Sequence, residues 1–553
     1  MQLIHGLHFN NLRGDIFGGL TAAVVALPLA LAFGVSSGAG PIAGLYGAIF
    51  VGFFAALFGG TPSQISGPTG PMTVVMAAIF TQYVAIDPIQ GPALAFTVVM
   101  MGGLFQILFG VLRIGTYINY VPQPVISGFM SGIGVIIILL QAGPLLGHPA
   151  AGGPLESLQG LPGVLSSPVW SAAMLGLLTL IIVFFTPSTI TRLVPAPLIA
   201  LVVGTLLLLF VIPSQQVTIL GDLPSGLPSP QLPLITAALL PEMIKSALIL
   251  ALLGTIDSLL TSLVADNITR TRHQSNRELI GQGIGNTVAG IFGGLPGAGA
   301  TMRTMINVRA GGQTPISGVL HALVLLSIVL GLGSAASYIP HVVLAGILIK
   351  VGTDIIDWDY LKRAHRSSRA GVVMMFTVLF MTVFVDLIIA VGTGMMMACL
   401  LFLKRQSDLQ LSNINVIRDA DEEAPLSDQE KHIIKAADQH LLLFHLGGPM
   451  SFGAAKEMVH MLSYQKNYEV LVLDLCDVPA LDYTASRAIE DMIIDTLAEN
   501  RQVLVALPAG NAANMLQQEH CLDNLPPAHC HSNRLSALQH AKQLLLEAEK
   551  KNP

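Results

Sequence analysis

The sequence predicts an α-helical polytopic membrane protein, an inverted repeat of seven plus seven spans followed by a small α/β domain. Three observations predict it. Of 553 residues, 52% are hydrophobic and only 11% charged, with mean hydropathy +0.68; a water-facing globule cannot hide that much apolar surface. Charge is sparse from Phe17 to Phe402 and ordinary from Lys404 onward, which separates two domains. Two short stretches also read alike: Gly67-Pro68-Thr69-Gly70-Pro71-Met72-Thr73 and Gly297-Ala298-Gly299-Ala300-Thr301-Met302-Arg303-Thr304. Each opens a short apolar run with glycines, prolines and hydroxyls where an ordinary spanning helix carries leucines.

Spans follow from the ~20 apolar residues needed to cross about 30 Å of hydrocarbon. They are expected near 17–36, 42–59, 69–84, 93–113, 121–142, 168–186 and 195–213, and again near 243–265, 278–294, 301–310, 315–333, 341–353, 370–385 and 386–403. Spans three and ten are too short to cross alone and predict two broken helices; irregular backbone at that depth survives only where it lines a cavity or is buried in protein. Downstream of each, Tyr120, Pro122, Val125 and Gly128 recur at the spacing of Tyr338, Pro340, Val343 and Gly346. The repeats run from about 10 to 213 and 240 to 404, and an odd number of spans per copy inverts the second relative to the first. Such a duplicated domain predicts a secondary transporter whose substrate sits at the bilayer midplane, between two half-helix N-termini. Close helix packing through glycines is the simpler alternative for either stretch alone.

Orientation follows from Lys and Arg. Arg113, Arg192, Arg270, Arg272, Arg277 and the run from Lys362 to Arg369 fall on one side, whereas the opposite loops carry Asp87, Glu156, Asp222 and Glu242 with no Lys or Arg. The positive-inside rule places both termini in the cytoplasm and the protein in the plasma (inner) membrane. The segment before Asp15 lacks the order of a removable signal peptide.

After an acidic linker over 405–436 (Asp419, Asp421, Glu422, Glu423), residues 437–553 read as one cytoplasmic α/β domain. Buried strands are expected at 440–446, 469–475 and 501–507, with helices at 486–497 and 535–549. Four scattered cysteines make neither a disulfide framework nor a metal cluster. No nucleophile–base constellation, phosphate loop, organic-cofactor motif or nucleic-acid patch is present, so catalysis is not expected.

The candidate site can be read residue by residue. Thr69 and Thr301 stand near the starts of the two short helices, where unpaired N–H groups and about half a positive charge face outward. Two such ends make an anion site built from backbone, with Gly70, Gly299 and Ala300 allowing close approach; each threonine is equally placed to be an N-cap. Asp257 lies mid-span, where a charge needs a partner or a role. Thr261, one turn on, shares its face. Together with the carbonyls of Gly299 and Thr301 they suit Na⁺, with an ion pair to Arg303 or a proton-carrying role as alternatives. Arg303 either strengthens the positive potential of the cavity or faces the cytoplasm. Asp266 and Glu278 are expected in a solvated salt-bridge cluster, Asp386 at a span boundary, and His321 in helix packing.

These residues together resemble the sulfate permease (SulP) family of anion transporters, over nearly the whole chain and including a C-terminal STAS domain. The resemblance is specific at Gly67–Thr73, at Gly254-Thr255-Ile256-Asp257-Ser258-Leu259-Leu260-Thr261-Ser262, and at Gly297–Gly312. The stretches Thr69–Met76, Glu278–Gly283 and Asp354–Trp358 look most like the sodium-dependent bicarbonate transporters of that family. The resemblance implies a core and a gate moving as an elevator, a homodimer, and Na⁺ at the Asp257 position. It implies uptake of a small inorganic anion, bicarbonate first, with proton-coupled sulfate or dicarboxylate symport, or uncoupled exchange or channel activity, as alternatives. Arg303 departs from the bicarbonate branch, which has glycine there, and matches the arginine of most other members. Thr484, in Asp482-Tyr483-Thr484-Ala485, occupies the place of a phosphorylated hydroxyl in related domains, and the domain is a candidate for binding a cytoplasmic partner.

Overall fold

The computed structural model describes residues 4–191, 194–211, 217–221, 228–419 and 426–551; Arg192, Asp222, Asp421, Glu422 and Glu423 lie outside them. The chain divides into two compact units, Met1–Met395 and Met396–Pro553.

The first unit is helical: α1 (Leu12–Ser36), α2 (Pro41–Phe58), α3 (Gly70–Ile86), α4 (Gly91–Val111), α5 (Gln123–Leu145), α6 (Pro154–Ser166), α7 (Trp170–Phe185), α8 (Ser188–Thr191), α9 (Ala196–Phe210), α10 (Leu240–Thr269), α11 (Ser275–Ile291), α12 (Thr301–Arg309), α13 (Pro315–Ala336), α14 (His341–Ile355), α15 (Trp358–Arg363), α16 (Arg369–Phe384) and the start of α17 (Leu387–Leu411). A helix lies at each of the fourteen expected spans. Only α1, α2, α4, α5 and α10 are long and apolar enough among the described residues to cross unaided, and α3, α9, α13 and α16 contain shorter apolar helices. The difference has a physical reason. Helices such as α11 bury polar side chains (Glu278, Gln282, Asn286) inside the protein, so lipid does not set their composition. The expected loop at 143–167 instead holds α6, bent by 114° against α7.

Packing groups these helices into two bundles that meet where α1 packs on α14 and α9 and α3 packs on α5. In one, α11 packs on α4 and α2, α10 on α4 and α12, and α1 on α13, α2 and α12. In the other, α5 packs on α14 and α16, and α7 on α14 and α9.

Two very short strands, β1 (Ser66–Gly67) and β2 (Ala298–Gly299), pair antiparallel inside the first bundle, with Ser66 opposite Gly299 and Gly67 opposite Ala298. Each leads directly into a short helix, β1 into α3 and β2 into α12. Glycine is required where they cross. Gly67 has φ +151°, and a Cβ on Gly297 would fall 2.5 Å from the Gly67 carbonyl carbon.

The second unit holds a sheet of order β3-β4-β5-β6-β7, comprising β3 (Ile414–Ile417), β4 (Leu441–Gly447), β5 (Val470–Asp477), β6 (Gln502–Ala506) and β7 (Cys530–His531). Only β3 runs antiparallel to its neighbour. Alternate residues of β4 feed two cores. Leu442, Phe444 and Leu446 meet α19 (Phe452–Ser463), α20 (Tyr483–Ala498) and α21 (Asn511–Gln518); Leu441 and Leu443 meet α18 (Asp428–Ala436) and α22 (Arg534–Lys551). Cover on both faces explains the continuous apolar runs. The stretch expected as a linker, 405–436, instead carries the end of α17, the edge strand β3 and α18.

Candidate ion-binding site

The crossing strands bring the two half-helix starts to one place. Thr69 is the N-cap residue of α3 in extended conformation (φ −121°, ψ 163°), yet its side chain does not cap. Its hydroxyl donates instead to Asp257 Oδ2 at 2.7 Å. Ala300 holds the equivalent place before α12, with Thr301 the first helical residue. Thr261 Oγ1 donates to the Gly299 carbonyl at 2.9 Å and lies 2.7 Å from Thr301 Oγ1. The neighbouring Ser258 hydroxyl accepts from Gly299 N–H at 3.1 Å. Thus α10 touches both half-helices, α3 through Asp257 and β2–α12 through Ser258 and Thr261.

Asp257 is 5% exposed, Thr69 8% and Thr261 fully buried. Among the described residues, the Thr69 hydroxyl is the one donor to the Asp257 carboxylate, and no ion pair to Arg303 forms within 4.0 Å. A buried carboxylate with so few donors is costly unless a cation completes it. Two hydroxyls and a carbonyl gathered one helical turn away are hard oxygen donors, which fit Na⁺ and not a soft metal. Gly70, the first residue of α3, lies in contact range of Ile137 on α5 and Ile355 on α14, so this helix start borders the second bundle.

Arg303 does not face the exterior. It is 2% exposed, and its guanidinium donates to the Pro68 carbonyl, between β1 and α3. A long planar fork thereby ties one half-helix to the approach of the other. Gly299 also differs from expectation, since the direction a side chain would take from it is filled by Gln64, with Nε2 2.3 Å from the position of a Cβ. Ala300 remains the small residue at the helix start.

Other expected residues are placed as follows. Glu278 is not in a solvated cluster: it is 1% exposed and accepts four hydrogen bonds from neutral groups. Asp266 meets His273 at 2.7 Å. Asp386 accepts from Ile389 N–H at the start of α17. His321 is fully buried with both ring nitrogens unpartnered among the described residues. Thr484 is exposed in the first turn of α20, which Asp482 caps by accepting from Ala485 N–H at 2.8 Å.

Sequence reasoning missed Asp15, buried and accepting from Gln313 N, Thr314 N and Thr314 Oγ1. A contact 299 positions away leaves no local signal. Gln64 and Ser258 were also missed. For Ser258 a signal existed, as it stands between Asp257 and Thr261 on a helix already singled out.

The sulfate permease family model matches residues 12–378. The chain belongs to that family. A STAS domain model matches residues 432–534. The bicarbonate transporter BicA of Picosynechococcus is 47% identical over 98% of this chain and 96% of its own. The putative sulfate transporter YvdB of Bacillus subtilis is 30% identical over 90% and 92%. Among solved structures, the transmembrane domain of a cyanobacterial bicarbonate transporter BicA covers 71% of this chain and all of its own length, at 53% identity and TM-score 0.67. The family is one of multi-pass membrane transporters, so the chain is an anion transporter and not an enzyme.

Proposed function

We propose that this protein takes up bicarbonate by Na⁺-coupled symport. The observation that carries it is the convergence of Asp257, Thr261, Thr301 and the Gly299 carbonyl beside two half-helix starts, in a chain close in sequence to bicarbonate transporters. Na⁺ takes the carboxylate and the three oxygens. The anion takes the N–H groups at the starts of α3 and α12, beside Thr69, Gly70, Ala300 and Thr301, where helix ends favour negative charge. The first bundle carries both ions as one body past the second, in an elevator movement, and the protein works as a homodimer with both termini in the cytoplasm. The binding of a partner by the STAS domain and phosphorylation of Thr484 belong to this reading as regulation. Uptake of radiolabelled bicarbonate into proteoliposomes tests it: an inward Na⁺ gradient should accelerate uptake, and equal rates with and without Na⁺ reject it.

The relative called a putative sulfate transporter favours a second reading, proton-coupled sulfate or dicarboxylate symport with Arg303 supplying charge. Arg303 is committed to Pro68, which weakens it. Inhibition of bicarbonate uptake by excess sulfate or fumarate, increasing at low pH, would favour this alternative.

A further inference from the structure

Glu278 is, with Asp15 and Asp257, one of three buried carboxylates in the first unit among the described residues, and the proposed ion sites do not use its charge. Its surroundings are unusual in composition. Oε2 accepts from Gly60 N at 2.8 Å and Thr61 N at 2.9 Å; Oε1 accepts from Gln64 Nε2 and Gln282 Nε2, both at 2.8 Å. All four partners are neutral donors, and no cation lies within ion-pair distance among the described residues. A carboxylate accepts on both oxygens and donates on neither, so this nest matches an ionised Glu and nothing else of its shape.

Two of those donors lead onward to the site. Gln64 lies against Gly299, its Oε1 accepts from Ser262 Oγ at 3.0 Å, and Ser262 in turn meets Thr61 Oγ1 at 2.8 Å. Gln282 Nε2 also donates to Ser66 Oγ at 2.6 Å, in β1 opposite Gly299. One arm therefore lies against β2 at Gly299, and the other bonds to β1 at Ser66. The two backbone N–H bonds fix the segment from Gly60 that enters β1.

We propose that Glu278 is a positioning residue for the ion site: it orients Gln64 and Gln282 so that the β1–β2 crossing holds the Gly299 carbonyl and the starts of α3 and α12 in register. It touches neither ion. This rests on the proposed function for where the ions bind, but the arrangement predicts its own mutational signature. In Glu278→Gln, one amide N–H₂ must face existing donors, whichever way it flips. In Gln64→Glu, two carboxylates meet. In the double variant Gln64→Glu/Glu278→Gln, the amide introduced at position 278 donates to the carboxylate introduced at position 64, which still accepts from Ser262, while Gln282, whose donor otherwise meets that amide, turns its unpartnered Oε1 toward it.

The test is a double-mutant cycle on full-length protein in proteoliposomes, reading the half-saturating Na⁺ and bicarbonate concentrations for uptake, with membrane insertion checked for each variant. Each single variant should raise the half-saturating concentrations at least tenfold, and the double variant should recover most of that loss. If a single variant fails to fold, recovery of a folded, transporting double variant still supports the inference. The inference is overturned if the single variants keep native half-saturation, or if the double variant is no better than the worse single one. Na⁺-independent uptake by the unmutated protein would reject sodium coupling alone; the same cycle read on bicarbonate then decides the role of Glu278.

Discussion

The Thr69 hydroxyl is committed to Asp257 and not to its own helix, which decides what its loss should do. Thr69→Ala leaves a buried carboxylate oxygen without its donor, and hydrogen bonds to charged groups are worth about 1.5–3 kcal/mol. We expect a roughly tenfold or greater rise in the half-saturating Na⁺ concentration, measured by bicarbonate uptake, with a smaller effect on bicarbonate itself. Thr301→Ala removes a neutral hydroxyl contact and should cost about 1 kcal/mol, roughly fivefold. Bulk discriminates better than polarity, because backbone N–H groups survive side-chain mutation. Ala300→Leu should abolish uptake while leaving the protein folded, and native-rate transport by that variant would move the anion elsewhere. Gly299→Leu is a poorer probe, since the added side chain runs into Gln64 and Thr261. Asp257 was conspicuous as a charge inside an apolar helix, but its bond to the Thr69 hydroxyl, 188 positions away, left no signal in the sequence. Glu278 was misread because it lies near a loop rich in arginine; sequence proximity suggested ion pairs, whereas its actual partners are more than 200 positions away or on its own helix face.

At the scale of elements, the half-helices depend on a two-residue strand pair. Gly67→Ala places a Cβ 2.9 Å from an Arg303 guanidinium nitrogen and 3.2 Å from Ala48 Cα, at a φ that side chains rarely adopt. We expect transport to fall at least tenfold and the thermal unfolding midpoint of detergent-purified protein to drop by a few degrees; an unchanged midpoint would mean the crossing tolerates displacement. The starts of α3 and α12 were legible from glycines and prolines opening short apolar runs. The strands themselves were not, because two residues carry no periodicity. The helix α6 was hidden differently: Pro154 and Pro162 and a run of glycines read as a loop, although proline is well tolerated in the first turn. Edge strand β3 was taken for linker because only four residues pair.

At the scale of the whole molecule, composition shifts at Lys404, whereas the two compact units divide between Met395 and Met396, inside α17, and the alternation along β4 and β5 is masked because both faces are covered. The second unit also makes a testable pH claim. Burial alone would raise the Asp474 carboxyl, but hydrogen bonds from His445 and Cys476 outweigh it and hold the group below its ordinary value. Glu430 is likewise held low, its burial outweighed by hydrogen bonds from Arg534 and Ser427. A carboxylate depressed in the folded state stabilises above its unfolded pKa, and that contribution is lost as pH falls through the folded value. Protection of the amides of 441–447 and 470–477 against hydrogen exchange, relative to the unstructured rate at the same pH, should therefore fall below about pH 4 in the full-length protein. Asp474→Asn should show faster exchange at pH 7 and a weaker acid response; an identical profile would reject the assignment. The bridge from Thr69 to Asp257 finally bears on leakage. Under the proposed function it joins the helix start assigned to the anion to the carboxylate assigned to the cation, so occupancy of one would change the affinity of the other, and by reciprocity the factor would be the same in both directions, typically about five- to 150-fold. Protein holding a single ion is then rare, and those rare molecules are the ones that could carry Na⁺ across without bicarbonate. Loss of that bridge should appear as slip: Na⁺ influx that no longer needs its co-substrate.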